Sequence, residues 1–255
     1  LPDKTTACRR ALMNKKLILE GLGKLREINE KRKFPQSADL FINLKSIDIK
    51  KPEQKIDLFI KLPFSKGKKN KFCAFVDHEL YEQAKKHFDK AVLKEEFIKY
   101  DNKKIQKRFV RDFDFFLAQA NIMTNIASSF GKTLGPLGKM PNPKAELIVG
   151  PQANLEAVST KLKNMIHVQT KNDSVIRAPV GSENMNDDEI AENILSIYNA
   201  VVHALPQEEA NIKNTIIKFS MSNGVKITDK PEVIEKVKEE KKSKYKERKA
   251  GAKSK

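Results

Sequence analysis

PFSKGKKNKFCAFV, residues 63–76, is where the chain changes character. Its first nine residues are polar, basic and broken by Pro63 and Gly67, and its last five are an unbroken apolar run of strand length. Proline and glycine interrupt regular elements, and a short apolar run without alternation suits a strand covered on both faces. The stretch therefore reads as a boundary between two kinds of packing. Working back from it, Leu40, Ile42 and Leu44 alternate with polar neighbours, and Ile56, Leu58, Ile60 and Leu62 alternate again beyond the turn-like DIKKPEQ of 48–54. A period of two marks half-buried antiparallel strands, here expected to pair with each other. Further upstream, Leu12, Leu17, Ile18, Leu22, Leu25 and Ile28 fall near helical spacing. They predict an amphipathic helix within 6–33, weakened or bent at Gly21 and Gly23.

Forward from the boundary, the pattern predicts a helix over 79–88, a short strand near Val92 and a basic helix over 95–111. The strand FDFFLAQA (113–120), a helix over 122–130, the strand ELIVG (146–150) and a helix over 155–163 follow. Strands alternating with helices imply a parallel sheet. After Asn164 the alternating texture returns. IHVQT (166–170) and VIRAPV (175–180) read as strands around the turn TKNDS, and a helix runs from Asp187 to about Leu205. Asp187, Asp188 and Glu189 in its first turn suit the positive end of the helix dipole. IIKFSMSNGVKI (216–227) is a last strand pair or one bent strand, and 230–255, with eleven basic and five acidic side chains, reads as a solvated helix or a disordered basic tail. The chain leaves an antiparallel α+β unit, builds an α/β unit, and returns.

GKTLGPLGKMPNPK (131–144) holds three glycines and three prolines in fourteen residues, a composition that predicts a rigid surface loop rather than a helix or a central strand. Its FGKT start invites a phosphate-loop reading, but the glycine which that motif needs five residues earlier is Ile126. No other grouping places a base beside a nucleophile. Cys8 and Cys73 are too few for a disulfide framework or a thiolate zinc site, and His78, His87, His167 and His203 are not at metal-ligand spacing. No metal and no cofactor is expected.

Fifty Lys+Arg against 33 Asp+Glu give a net charge of +17, which favours a polyanionic partner: nucleic acid first, an anionic membrane surface second. No window reaches the roughly 18 apolar residues of a membrane span, so an intracellular, cytoplasmic protein is expected. Charge attracts phosphates, whereas selecting an RNA also needs small polar groups for 2′-hydroxyls and a rigid apolar surface. KFPQSAD (33–39) and FSMSNG (219–224) have that mixture. On composition alone, Phe34 and Met221 would be core residues. The competing reading is a nucleotide- or phosphate-dependent enzyme built on the α/β unit.

RKFPQSADLFINLKSIDIKKPEQKID (32–57), DFFLAQANIM (114–123), GKTLGPLGKMPNPK, IRAPVG (176–181), NMNDDEIAENI (184–194) and KFSMSNGVKI (218–227) follow one another in order. Over residues 12–227 this series resembles the archaeal-type L-one family of large-subunit ribosomal proteins. The resemblance implies a discontinuous antiparallel α+β domain I from 1–65 and 165–229, with an inserted Rossmann-like three-layer α/β domain II at 66–164 and hinges near Lys66 and Asn164. It implies a non-enzymatic protein of the ribosome that binds 23S-type rRNA at the mobile stalk near the exit site. Exit-site tRNA, whose release it would support, and the protein's own mRNA are implied as further partners, the protein being a monomer outside the ribosome.

Carried over by position, Lys33, Phe34, Ser37 and Asp39 form one RNA-contact cluster, Thr170, Lys171, Asn172 and Arg177 a second, and Ser220, Met221 and Ser222 a third. The family's T-M-G-P is S-M-S-N here, so Ser222 stands where glycine is usual and Asn223 where proline is. Leu137 stands where relatives carry arginine.

Overall fold

The structure, a computed structural model, describes residues 13–30, 32–48, 51, 54–100, 102–170, 173–227 and 232–234. These divide into two compact units, one drawn from Leu1–Leu58 and Val168–Lys255, the other Phe59–His167. Among the described residues no helix is long and apolar enough to cross a membrane, and no group of His, Cys, Asp and Glu could hold a metal.

Unit 1 is a five-stranded sheet covered on one face by two helices. Helix α1 (Lys15–Ile28) buries Ile18, Gly21, Leu22 and Leu25, one stripe at helical spacing. It continues through both glycines, because Gly21 faces inward with only Ile227 near where a Cβ would stand and Gly23 faces open space. Leu12 lies outside the described residues. The strands are β1 (Ser37–Leu44), β8 (Val175–Ser182), β9 (Ile212–Phe219), β10 (Gly224–Ile227) and β11 (Glu232–Ile234), in the order β11-β10-β9-β1-β8. All their pairings are antiparallel. In β1, Ala38, Leu40, Ile42 and Leu44 are buried while Ser37, Asp39, Phe41 and Asn43 stay open or half-open. Helix α6 (Asp187–Ala204) packs beside α1 and on β8, and its Asn193 Nδ2 donates to the Val180 carbonyl at 2.8 Å.

Two of the acids expected to favour the start of α6 also tie it to α1, Asp188 pairing with Lys15 at 3.2 Å and Asp187 with Arg26 at 2.7 Å, and Glu192 one turn on pairs with Lys15 at 3.0 Å. The expected pairing of 40–44 with 56–62 does not form. β1 sits between β8 and β9, whereas β2 (Asp57–Lys61) pairs with β7 (Met165–Gln169) in a separate ribbon. Periodicity shows which face of a strand is buried and carries nothing about its partner. The tail reading also changes at its start, since β11 adds an edge strand to β10; residues 235–255 lie outside the described residues.

Unit 2 is a four-stranded sheet, β4-β3-β5-β6, parallel throughout. Its strands are β3 (Phe72–Val76), β4 (Lys90–Leu93), β5 (Phe115–Gln119) and β6 (Ile148–Val149). β3 and β5 are buried at every position, as the unbroken apolar runs required. On one face Phe72, Ala74, Val76, Phe115 and Leu117 pack against α2 (His78–His87) and α5 (Leu155–Lys163); on the other, Cys73, Phe75, Phe116 and Ala118 pack against α3 (Lys103–Asp112) and α4 (Met123–Leu137). The Cys73 thiol has its pKa pushed up by burial and serves as packing; Cys8 lies outside the described residues. The single basic helix expected over 95–111 is instead a 3-10 segment, Lys94–Tyr100, followed by α3, which Asn102 caps by accepting from Lys104 N at 3.0 Å.

The glycine–proline stretch departs most from expectation. Its first seven residues are the last two turns of α4, because Ile126, Phe130, Thr133 and Leu134 continue a buried stripe whose packing outweighs the roughly 1 kcal/mol that each glycine costs a helix. Pro136 loses one rung in the last turn. Gly138, at φ 69°, then reverses the chain: Lys139 N donates to Leu134 O at 3.1 Å and Gly138 N to Gly135 O at 2.9 Å. That pair of bonds is the Schellman stop, which needs a residue at positive φ.

Candidate nucleic-acid interface

Two segments far apart in sequence meet at one end of the sheet in unit 1. The register sets Ala38 opposite Phe219, so the start of β1 lies against the turn between β9 and β10. Ser220 N donates to Ser37 O at 3.1 Å, and its hydroxyl reaches the same carbonyl at 3.3 Å. Beneath them sits Gln36, only 1% exposed. Its Oε1 accepts from Met221 N at 3.0 Å and its Nε2 donates to Asn29 Oδ1 at 2.8 Å. Asn29 Nδ2 in turn donates to Glu183 Oε1 at 2.9 Å, and Glu183 N donates to Gln36 O at 2.8 Å. Arg26 closes the ring by donating to the carbonyls of Glu183 and Met185 at 3.2 and 2.9 Å. One buried amide thus joins the end of α1, the end of β8 and the β9–β10 turn. Gln36 was not among the residues carried over from the family, although the segment KFPQSAD contains it.

Around this pivot the surface holds Phe34, 51% exposed, and Met221, 55% exposed. The expectation from composition, that both are core residues, is overturned: both side chains are more than half exposed, and Gln36 holds the backbone of Met221. Lys33 is exposed beside Phe34, and Ser37 is exposed. Ser222 points the other way. It is 8% exposed, and its hydroxyl accepts from Phe219 N at 3.1 Å and donates to Asn223 O at 2.9 Å. Its φ is not positive, so the turn does not require glycine there, and the serine staples the turn instead of offering a group outward.

The second expected cluster is dispersed. Thr170 is buried, its hydroxyl accepting from Ile56 N at 3.1 Å while its own N–H donates to Ile56 O at 3.0 Å, so it closes strand pairing within unit 1. Lys171 and Asn172 lie outside the described residues. Arg177 is exposed on β8 opposite Phe41, on the open face of the sheet and about 13 Å along β1 from Ser37 at strand rise. Among the described residues its charge partner is Asp173 at 3.5 Å.

Asp39, on the same face, lies between Pro179 and Lys218; burial raises its carboxyl pKa and Lys218 partly offsets that. A carboxyl held above its ordinary value binds its proton more tightly in the fold. Its ionisation therefore lowers stability as pH rises through the folded value, and no penalty remains below the unfolded value near 4. Asp39→Asn is expected to raise the melting temperature at pH 7 and to leave it unchanged at about pH 3; an equal gain at both would exclude charge as the cause.

The phosphate-loop alternative finds no cradle. Gly131, Lys132 and Thr133 lie inside α4, where backbone N–H groups are spent on the helix, and Thr133 Oγ1 donates to Gln106 Oε1 at 2.7 Å. Leu137, in place of the family's arginine, packs against the aromatic core of unit 2.

The chain matches the model of the ribosomal protein L1p/L10e family over residues 25–223. Large ribosomal subunit protein uL1 of Pyrococcus abyssi is 36% identical over 212 residues, spanning 82% of this chain and 94% of its own. The protein of the same name from Thermococcus kodakarensis is 34% identical over 212 residues, 82% of this chain and 96% of its own. That of Nanoarchaeum equitans is 38% identical over 202 residues, 78% and 93% respectively.

Proposed function

The chain belongs to the ribosomal protein L1p/L10e family, and from that premise we propose that it is a non-enzymatic, structural constituent of the large ribosomal subunit. In this reading unit 1 is the RNA-binding domain, gripping 23S-type rRNA at the mobile stalk, and unit 2 is an inserted Rossmann-like domain that modulates stalk motion. The cytoplasmic ribosome is its place of work. Release of deacylated tRNA at the exit site, and repression of its own mRNA through an rRNA-like element, are the further roles it would serve; off the ribosome it acts as a monomer.

The observation that carries the reading is the Gln36 pivot, which presents Phe34, Ser37, Ser220 and Met221 as one preshaped surface. Lys33 and Lys218 flank it with positive charge, and Arg177 adds a cation about 13 Å along the same face. A rigid apolar step beside small hydroxyls suits the shape and 2′-OH groups of RNA, and the cations suit its phosphates. Binding isotherms with a stalk fragment of 23S-type rRNA at several salt concentrations test it. If those three cations each neutralise one phosphate, log K falls with log salt at a slope of about −3 or steeper. A flat salt response, together with a large thermal shift on adding ATP or GTP with magnesium and no RNA, would replace this reading with the nucleotide-dependent enzyme.

A further inference from the structure

We propose that helix α3 of unit 2 is a second RNA-binding surface, a rail for the phosphate backbone that reads no sequence and works independently of the Phe34–Met221 surface. Lys103, Lys104, Lys107, Arg108 and Arg111 are all exposed. At 100° per residue they cover one continuous arc of about 140°, and at 1.5 Å per residue they extend over about 12 Å. Outside that arc lie Gln106, Phe109 and Val110, all buried. Among the described residues none of the five cations makes an ion pair, and Asp112 is the only acid on the helix.

Stability of the helix does not account for this pattern. Lys103 and Lys104 occupy the first turn, where the dipole disfavours positive charge and where no acid stands. Lys103, Lys107 and Arg111 repel one another at i,i+4 spacing, as do Lys104 and Arg108. Each of these arrangements is unfavourable in the free protein and is relieved when phosphates supply the missing countercharge. An extended row of cations on a straight helix is complementary to a regular line of phosphates.

The rail is also rigidly mounted. Gln106 Nε2 donates to Ser129 O at 3.1 Å and its Oε1 accepts from Thr133, fixing the middle of α3 to α4. At the far end Lys139 Nζ, from the glycine–proline stretch, donates to Val110 O at 3.0 Å and to Phe113 O, satisfying carbonyls at the C-terminus of α3. The basic helix is therefore held from below by buried polar contacts.

The test uses the full-length chain with four substitutions, Lys104→Gln, Lys107→Gln, Arg108→Gln and Arg111→Gln, and an RNA duplex of about 16 bp and arbitrary sequence. The expected result is at least a tenfold loss of affinity at low salt and a salt slope shallower by about three, with a melting temperature equal to or above that of the parent. An unchanged slope overturns the proposal. So does stronger competition by polyglutamate than by duplex RNA at equal charge, which would assign the surface to an acidic protein. Should the variant not fold, acylation of Lys104 and Lys107 in the parent decides: RNA protects them if the rail is real, and unaltered labelling overturns it. Phe34→Ala with Met221→Ala is expected to leave duplex binding intact, so failure of this proposal and failure of the unit 1 reading give different results.

Discussion

Replacing Gln36 with alanine is expected to lower the melting transition of unit 1 by roughly 5–10 °C and to weaken binding to a stalk rRNA fragment at least tenfold. The side chain makes two hydrogen bonds that no neighbour replaces, one to Met221 N and one to Asn29 Oδ1. Truncation leaves both partners unsatisfied at a nearly sealed site and opens a void, which together cost about 2–3 kcal/mol. For a protein of this size each kcal/mol moves a melting temperature by about 2–4 °C. The effect on RNA comes from geometry: without the amide, Met221 N loses its side-chain anchor, and only the Ser220–Ser37 contacts tie the turn to the segment that carries Phe34. Gln36→Glu sharpens the test. The carboxylate still accepts from Met221 N, yet it turns an acceptor toward Asn29 Oδ1 and brings a second negative charge near Glu183. It is expected to be at least as damaging as alanine at pH 7 and to improve on acidification. Calorimetric scans of the three proteins decide the matter, and an alanine variant that melts with the parent would show that Gln36 is no pivot.

How much of this was legible in the residues follows from what each signal encodes. Alternation in β1 and unbroken apolarity in β3 and β5 fixed which faces are covered, since burial acts on each residue in place. Partnering of strands was not legible. Ser37 and Ser220 are separated by most of the chain, and nothing in either local pattern states that they share a carbonyl. The helix through Gly131 to Leu137 was misread because glycine and proline content signals local preference, while the deciding term was packing of Phe130 and Leu134 against a core formed elsewhere. At the interface, the family pattern reached Phe34 and Met221, which project outward. It passed over Gln36, whose importance lies in three contacts that appear only once α1, β8 and the β9–β10 turn have come together. Thr170 and Ser222 show the converse: small hydroxyls that suit RNA in sequence, yet are used within the fold.

The same separation between support and surface gives the second large effect. Phe34→Ala together with Met221→Ala is expected to reduce affinity for the stalk rRNA fragment about a hundredfold or more, while the melting temperature stays within about 1 °C of the parent. Both side chains are more than half exposed, so the free protein loses little by their removal. In the complex they would cover bases or riboses, and an aromatic stacked on a base is worth roughly 1–3 kcal/mol by alanine substitution. Phe34 stacked in this way, together with burial of the Met221 side chain at about 1.5–3 kcal/mol, reaches the stated loss at about 1.4 kcal/mol per tenfold. Neither side chain carries charge, so the slope of log affinity against log salt should be unchanged, the line merely shifting downward. Neutralising Lys33 and Lys218 should do the reverse, flattening the slope by about two and losing least at high salt. Crossing the two sets of substitutions distinguishes a shaped surface from a merely basic one. If the double alanine variant binds as the parent does at every salt concentration, the outward projection of Phe34 and Met221 serves something other than this RNA, and the assignment of the interface to the Gln36 end of unit 1 fails with it.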